Sequence, residues 1–190
     1  MNVTITAPSG TGKTTLMRAL IAESTVGMRL IPSTTTRAPR GTDLPLEYEY
    51  LSDTEFEALA EQGAFLKVYG KYGNYYGTRV SYFNDATFFK REPCLAAVLP
   101  EAMPLWIERS HQGLGAYRGV MCNLYLDLGD PAEHMRRLAE RGETNSARLA
   151  DDIVKWKEEA LASNIPYHFL DARKNPYDLV HDVQKILAAM

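Results

Sequence analysis

Strand-like and helix-like patterns of apolar and polar positions alternate along most of the chain. The first apolar run is VTITA, from Val3 to Ala7, and it predicts a strand. A helix is expected from about Thr14 to Glu23 and a short strand from Met28 to Ile31. Residues 33–78 break this rhythm and are rich in Thr, Gly, Pro and Tyr. Within them, Ser52 with Glu55 three positions on spells a capping box and opens a short helix. After residue 79 the alternation resumes, with strands near 94–99 and 120–126. Asp130-Pro131, with Glu133 at the third helical position, starts a helix running to about Arg141, and Asn175-Pro176 starts the last helix by the same device. No internal repeat or low-complexity linker interrupts the pattern. The expectation is an α/β fold with a central, mostly parallel sheet flanked by helices, as one compact core with an insertion at 33–78.

Composition narrows this picture only slightly. The 190 residues are 45% hydrophobic and 24% charged, as in an ordinary soluble globular domain, and fit one domain with a substantial core. A formal net charge of -3 argues against non-specific nucleic-acid binding. No apolar run approaches the roughly 20 residues of a membrane span, and the N-terminus lacks a signal-peptide pattern. Cys94 and Cys122 lie in apolar stretches and read as core thiols rather than a disulfide, which suggests a cytoplasmic setting. The four histidines, His111, His134, His168 and His181, show no metal-site spacing and are expected in surface or hydrogen-bonded structural roles. Trp106 and Trp156 are expected to pack, and Lys155 and Lys157 to form a solvated face.

The first candidate chemistry follows the first strand. APSGTGKTT comprises Ala7, Pro8, Ser9, Gly10, Thr11, Gly12, Lys13, Thr14 and Thr15, and matches the phosphate-loop pattern except that Ala7 takes the place of its first glycine. Gly10 and Gly12 would let the backbone fold around phosphate oxygens with amides pointing inward, and the helix start adds positive potential. Lys13 would reach the β- and γ-phosphates of a nucleotide, and the Thr14 hydroxyl would bind Mg²⁺. The bland alternative is a glycine-rich turn with an incidental lysine.

A second anion site is suggested by STTTRAPR, residues 33–40. Pro39 disfavours a helix and the three threonines lack strand alternation, so an exposed loop is expected, with Arg37 and Arg40 offering guanidinium donors. Two phosphate sites on one chain point to phosphoryl transfer onto a phosphorylated acceptor. Such an acceptor is already an anionic nucleophile and needs no general base. Taken alone, the arginine pair is equally compatible with a solvated basic loop.

Together these stretches resemble the guanylate kinase family. APSGTGKTTL, STTTRAPR, EYEYLSDTEFEALAEQGAFL and GNYYGT (residues 73–78) stand in family order over most of the first 80 residues. The resemblance implies a P-loop kinase that moves the γ-phosphoryl of ATP to a nucleoside monophosphate, with Mg²⁺. It implies a core of about 1–32, 79–130 and 164–190, an acceptor-binding insert of about 33–78 and a lid of about 131–163, all within a single domain, as a monomer or homodimer. Carried over by position, Ser33, Arg37, Arg40, Tyr48 and Tyr76 would hold the acceptor's phosphate and Thr78 would sit near its base, while Tyr75 would pack. MRRLAERGETNSARL, residues 135–149, resembles the lid, so Arg137, Arg141 and Arg148 would meet the transferring group as the site closes. The alternative is that these arginines pair with Glu133, Glu140 and Asp151 on a solvated helix.

The resemblance fails at the guanine-reading positions. Lys67 stands where the family has a glutamate, and Ala97, Leu99 and Glu101 replace the acidic residues and glutamine of its DxDxQG pattern. Guanine presents two donors there, which lysine and leucine cannot accept, so leaving them unpaired would cost about 1–3 kcal/mol each. GMP or dGMP is therefore the family acceptor, with base specificity expected to be altered. Two alternatives accompany this reading: a sugar-phosphate kinase resembling ribose 1,5-bisphosphate kinases, and an inactive guanylate-kinase-like binding module. Glu101 or Asp127 is the expected substitute for the lost acidic support near Mg²⁺.

Overall fold

The computed structural model describes residues 2–23, 28–84, 93–111, 121–140, 142 and 146–190, the stretch 146–150 as backbone only. In chain order the elements are β1 (Asn2–Thr6), α1 (Lys13–Glu23), β2 (Arg29–Leu30), β3 (Ser33–Thr35), β4 (Tyr48–Tyr50), α2 (Asp53–Glu61), β5 (Phe65–Lys71) and β6 (Asn74–Arg79). They continue with α3 (Val80–Asn84), β7 (Cys94–Ala97), α4 (Met103–His111), β8 (Met121–Asp127), α5 (Pro131–Glu140), α6 (Ser146–Ala162), β9 (Tyr167–Asp171) and α7 (Pro176–Ala188). The fold is mixed α/β, as the alternating pattern predicts. Two compact units share the chain: one takes in residues 26–96 and 102–121, the other 3–25, 97–101 and 122–190. Among the described residues, no helix is long and apolar enough to cross a membrane.

In the second unit the strands run in the order β1-β8-β9, with β8 and β9 parallel from Asn123 opposite Tyr167 to Asp127 opposite Asp171. β1 is buried at every position, so its polar side chains need partners. Thr4 Oγ1 donates to Asn123 Oδ1 at 2.9 Å and Thr6 Oγ1 to the Val98 carbonyl at 3.0 Å. Tyr125 on β8 packs with Trp156 and Ala160 of α6, with Leu99 against them. The capping signals act as read. Asp130 Oδ1 accepts the Ala132 amide at 2.9 Å ahead of Pro131, and Asn175 Oδ1 accepts the Asp178 amide at 3.0 Å.

In the first unit β2 and β7 pair in parallel, Arg29 opposite Cys94. Cys94 is buried and free, as is Cys122 in the other unit. Trp106 is buried in α4 with its ring edge-on to Phe83 at 5.1 Å. The stretch in which the sequence pattern breaks forms a second sheet, ordered β4-β3-β6-β5. β3 and β4 are parallel, while β6 runs antiparallel to both β3 and β5. The β5–β6 hairpin turns on Tyr72 (φ 52°) and Gly73 (φ 77°), two left-handed residues that match a tight primed turn. Ser52 opens α2 with both halves of the expected capping box, and Phe56 on α2 stacks on Phe65 (4.5 Å between centroids) and Tyr75 (5.7 Å). Tyr75 rests one ring face on Phe56 and remains 39% exposed. Gly77 fits beneath this cluster because a Cβ there would lie 2.9 Å from Phe65 Cδ1.

One expectation is overturned in part here. STTTRAPR is an exposed loop only at its end, where Ala38, Pro39 and Arg40 are exposed: Ser33–Thr35 is a strand, Thr34 and Thr35 are fully buried, and Arg37 is only 9% exposed. The strand lies inside the sheet, so hydrophobic alternation is not required of it. Its hydroxyls are satisfied instead by Glu49 Oε2 (2.8 Å from Thr34 Oγ1) and the Tyr75 carbonyl (2.8 Å from Thr35 Oγ1).

Candidate active site

The candidate phosphate loop, residues 7–15, occupies the turn from β1 to α1 in the second unit. Gly10 (φ 88°) and Gly12 (φ 104°) are both left-handed, the conformation that lets successive amides point to one side. Lys13 is the first residue of α1, and its Nζ approaches the Ala7 carbonyl at 3.4 Å. Thr11 is buried, and its hydroxyl donates to the Pro8 carbonyl at 2.9 Å. Ser9 and Thr14 are partly exposed and Thr15 is exposed. The loop is therefore braced from within by its own carbonyls.

The second cluster is built on the β4-β3-β6-β5 sheet of the first unit. Ser33 pairs with Tyr48, and Thr34 lies opposite Gly77 and Glu49. Side chains alternate across a strand, so Ser33, Tyr48, Tyr76 and Thr78 share one face while Thr34, Glu49 and Arg79 share the other. Lys67, at the irregularity between Phe65 and Val68, places its Nζ 5.2 Å from the centre of the Tyr69 ring, and Tyr69 is the strand partner of Tyr76. The guanidinium of Arg37 lies over Tyr48 at 4.7 Å and Tyr50 at 5.8 Å. Ser33, Arg37, Tyr48, Lys67, Tyr76 and Thr78 thus gather on one face. The Arg40 side chain is exposed.

Sequence reasoning missed the carboxylate at the centre of this cluster. Asp43 accepts from Arg37 Nη2 on both oxygens at 3.1 Å, from the Arg40 amide at 2.7 Å and from the Tyr50 hydroxyl at 2.5 Å. Burial opposes its charge, but the Tyr50, Arg40 and Arg37 donors hold the carboxyl below its usual range. Burial and the bond to Asp43 push the Tyr50 phenol up to about 12. Burial, with Glu47 nearby, raises Tyr48 further, so both phenols stay protonated donors near neutral pH. On the opposite face Arg79 forks Glu49, Nε to Oε2 and Nη2 to Oε1 at 2.6 Å each.

Of the three arginines expected in a lid, Arg137 lies on α5, and its Nε donates to Glu133 Oε1 at 2.9 Å, the solvated-helix pairing. Arg136 also holds Glu133, and the hydrogen bonds from the two arginines pull that carboxyl down to about 2. Arg148 is on the α6 backbone, and Arg141 lies outside the described residues. Lys155 pairs with Glu159 at 3.7 Å on an exposed face. Lys157 departs from the solvated expectation: it holds Asp127 at 2.7 Å, and that carboxylate also accepts the Gly129 amide. Asp127, one of the two expected substitutes near a metal, is thus already committed to a lysine. Glu101 sits exposed in the one-turn helix Pro100–Ala102.

A parallel-sheet α/β unit whose first strand turns through left-handed glycines into a helix beginning with lysine is the architecture of a P-loop kinase. The solved guanylate kinase of Anaplasma phagocytophilum shares this fold, with a TM-score of 0.67 at 18% identity over 100% of this chain and 85% of that one. A gluconokinase of Sinorhizobium meliloti superposes at a TM-score of 0.54 and 15% identity, covering 99% of this chain and 91% of that one. The family model described as Guanylate kinase matches residues 1–95. The guanylate kinase of Mannheimia succiniciproducens is 30% identical over 189 residues, 93% of this chain and 84% of that protein. That of a Shewanella species is 35% identical over 159 residues, 82% and 71% of the two chains. The chain belongs to the guanylate kinase family.

Proposed function

We propose that the protein is an ATP-dependent nucleoside monophosphate kinase whose base preference departs from that of guanylate kinases. The observation that carries this reading is the collection of Arg37, Tyr48 and Tyr76 on one sheet face, with Ser33, Thr78 and Lys67 beside them. Charged and phenolic donors aimed from a rigid sheet suit a phosphate monoester. Ser33 and Arg40 complete that grip. Thr78 and Lys67 lie at the base end, where a lysine favours acceptor atoms on the ligand.

The donor's phosphates are wrapped by residues 7–15, with Lys13 at the β- and γ-phosphates. An oxygen of the acceptor phosphate attacks the γ-phosphorus, the bond to the β,γ-bridging oxygen breaks, and ADP leaves beside the new diphosphate. No proton need be removed, so the protein's part is alignment and charge screening. Arg137, Arg141 and Arg148 are the candidates to neutralise the transferring group. Mg²⁺ would be held by the Thr14 hydroxyl, phosphate oxygens and water, and would spread the developing charge. The described residues contain no group of three acidic, histidine or cysteine side chains suited to a metal cage, and Mg²⁺ bound through substrate phosphates does not require one.

An ADP-release screen across ribo- and deoxyribonucleoside monophosphates, with ribose 1,5-bisphosphate included, tests the proposal. Turnover with a monophosphate other than GMP supports it in full. A preference for GMP refutes the altered base reading, and activity on the sugar bisphosphate alone moves the protein to the sugar-phosphate class. Silence on every acceptor overturns the kinase reading in favour of a binding module.

A further inference from the structure

His134 has no part in the phosphoryl-transfer scheme, yet it is 2% exposed and lies against the phosphate loop. It sits on α5 one turn before Leu138, which is fully buried, so both face the same way. That face is seated on the loop's apex. A Cβ at Gly10 would lie 2.9 Å from Leu138 Cδ2 and 3.2 Å from His134 Cδ2. The imidazole Nε2 is hydrogen-bonded to the Ser9 carbonyl and lies 3.3 Å from Thr11 Oγ1.

The network assigns the proton. Thr11 spends its hydroxyl hydrogen on the Pro8 carbonyl, and the Ser9 carbonyl can only accept. Nε2 must therefore carry hydrogen and donate. A trans peptide unit is planar, with its carbonyl and amide pointing in opposite directions. Holding the Ser9 carbonyl toward α5 aims the Gly10 amide away from α5, and the Thr11 bond to Pro8 aims the Ser9 amide in the same manner. Two consecutive amides directed to one side form an anion-binding nest.

We infer that His134 is a positioning residue for the donor site, orienting the Ser9–Gly10 peptide so that its amide meets a polyphosphate. The inference rests on the nucleotide-binding reading of residues 7–15. It gives this lid helix a task independent of its arginines: part of the phosphate cradle is held in shape by α5.

The test compares His134→Asn with His134→Gln by calorimetric titration with ATP and with inorganic tripolyphosphate, which has no base. Both amides are polar, but only the longer one reaches Ser9 with its nitrogen. His134→Asn is expected to weaken both ligands by roughly tenfold, as for one misaimed hydrogen bond to a charged group. His134→Gln should recover most of that loss, and the acceptor KM should stay within about twofold in both variants. A folded His134→Asn protein that binds tripolyphosphate like the unmodified one overturns the inference while leaving the nucleotide site standing. If the unmodified protein binds neither ligand, the nucleotide reading fails and this one falls with it. Should His134→Asn not fold, NMR of the unmodified protein decides: a hydrogen on Nε2 supports the assignment, and an Nδ1–H tautomer overturns it.

Discussion

Replacing Arg37 by methionine separates the two roles that the structure gives this side chain. The Arg37 and Asp43 side chains are 10% and 12% exposed, so the pair is close to buried. Removing one partner of a fully buried pair costs about 3–5 kcal/mol because a charge is left uncompensated. Asp43 retains the Arg40 amide at 2.7 Å and the Tyr50 hydroxyl at 2.5 Å, which lowers the expected loss to about 2 kcal/mol. Urea denaturation followed by the fluorescence of Trp106, in the same unit, measures it. The sign of its pH dependence follows from Asp43, whose carboxyl is held below its ordinary 3.8 in the fold. A depressed carboxyl contributes stability that is present above the unfolded value and lost as pH falls through the folded value. The Arg37→Met deficit should therefore be full near about pH 7 and begin to shrink below about pH 4, where Asp43 of the unfolded chain takes up its proton, disappearing only below the lower folded value. A deficit under about 0.5 kcal/mol, or one unchanged by acid, refutes the pairing argument. The same variant should raise the acceptor KM by about 10- to 150-fold, as for one lost charge-assisted hydrogen bond, with the KM for ATP little changed. Arg37→Met with an unaltered acceptor KM would remove Arg37 from the acceptor site while leaving its structural role intact.

Lys13→Ala should reduce turnover by orders of magnitude with an unchanged circular dichroism spectrum, and near-normal turnover would end the phosphate-loop assignment. Gly10→Ala meets both a positive φ of 88° and a 2.9 Å contact with Leu138 Cδ2, so a loss of about 2–4 kcal/mol in thermal or urea unfolding is expected. Arg79→Met leaves Glu49, 25% exposed, with the Thr34 and Tyr82 hydroxyls as neutral donors in place of the guanidinium, and should destabilise by about 1–2 kcal/mol. Because Arg79 is on the sheet face opposite Tyr48 and Tyr76, its acceptor KM should stay within about twofold of normal; a larger rise would mean the two faces are not independent.

Local signals were readable in the sequence because their causes are local. Gly10, Gly12 and Lys13 are recognisable from spacing alone, and so are the Ser52–Glu55 box and the Asn175 cap, each completed within a few residues. The same logic failed at Thr34 and Thr35. A polar strand is stable only when distant partners satisfy it, and Glu49 and Tyr75 lie 15 and 40 residues away. Asp43 was hidden for a different reason: six residues from Arg37, it reads as one more polar residue in a turn until the chain folds back to bring Tyr50 onto the same carboxylate. His134 was the hardest of these. Its helix was predictable from Asp130-Pro131, but its contact with Ser9 spans 125 residues, and a lone histidine has no pattern to mark it.

The two-residue period of a strand explains why the family-like stretches take the form they do. In STTT the odd positions, Ser33 and Thr35, belong to the Tyr48 and Tyr50 face, while Thr34 turns to Glu49 and Arg79. In NYYGT, Tyr76 and Thr78 lie on the first of these faces, whereas Tyr75 goes to Phe56 and Gly77 makes room for Phe65. Each motif thus interleaves residues of the proposed acceptor face with residues that pack or pair on the other side of the sheet, and shifting any strand by one position would exchange the two sets. Lys67 lies at the register irregularity of β5, where one strand is locally released from that alternation. On the proposed reading, a changed base preference is carried by Lys67 at this irregularity, while Ser33, Tyr48 and Tyr76 stay on the regular strands around it.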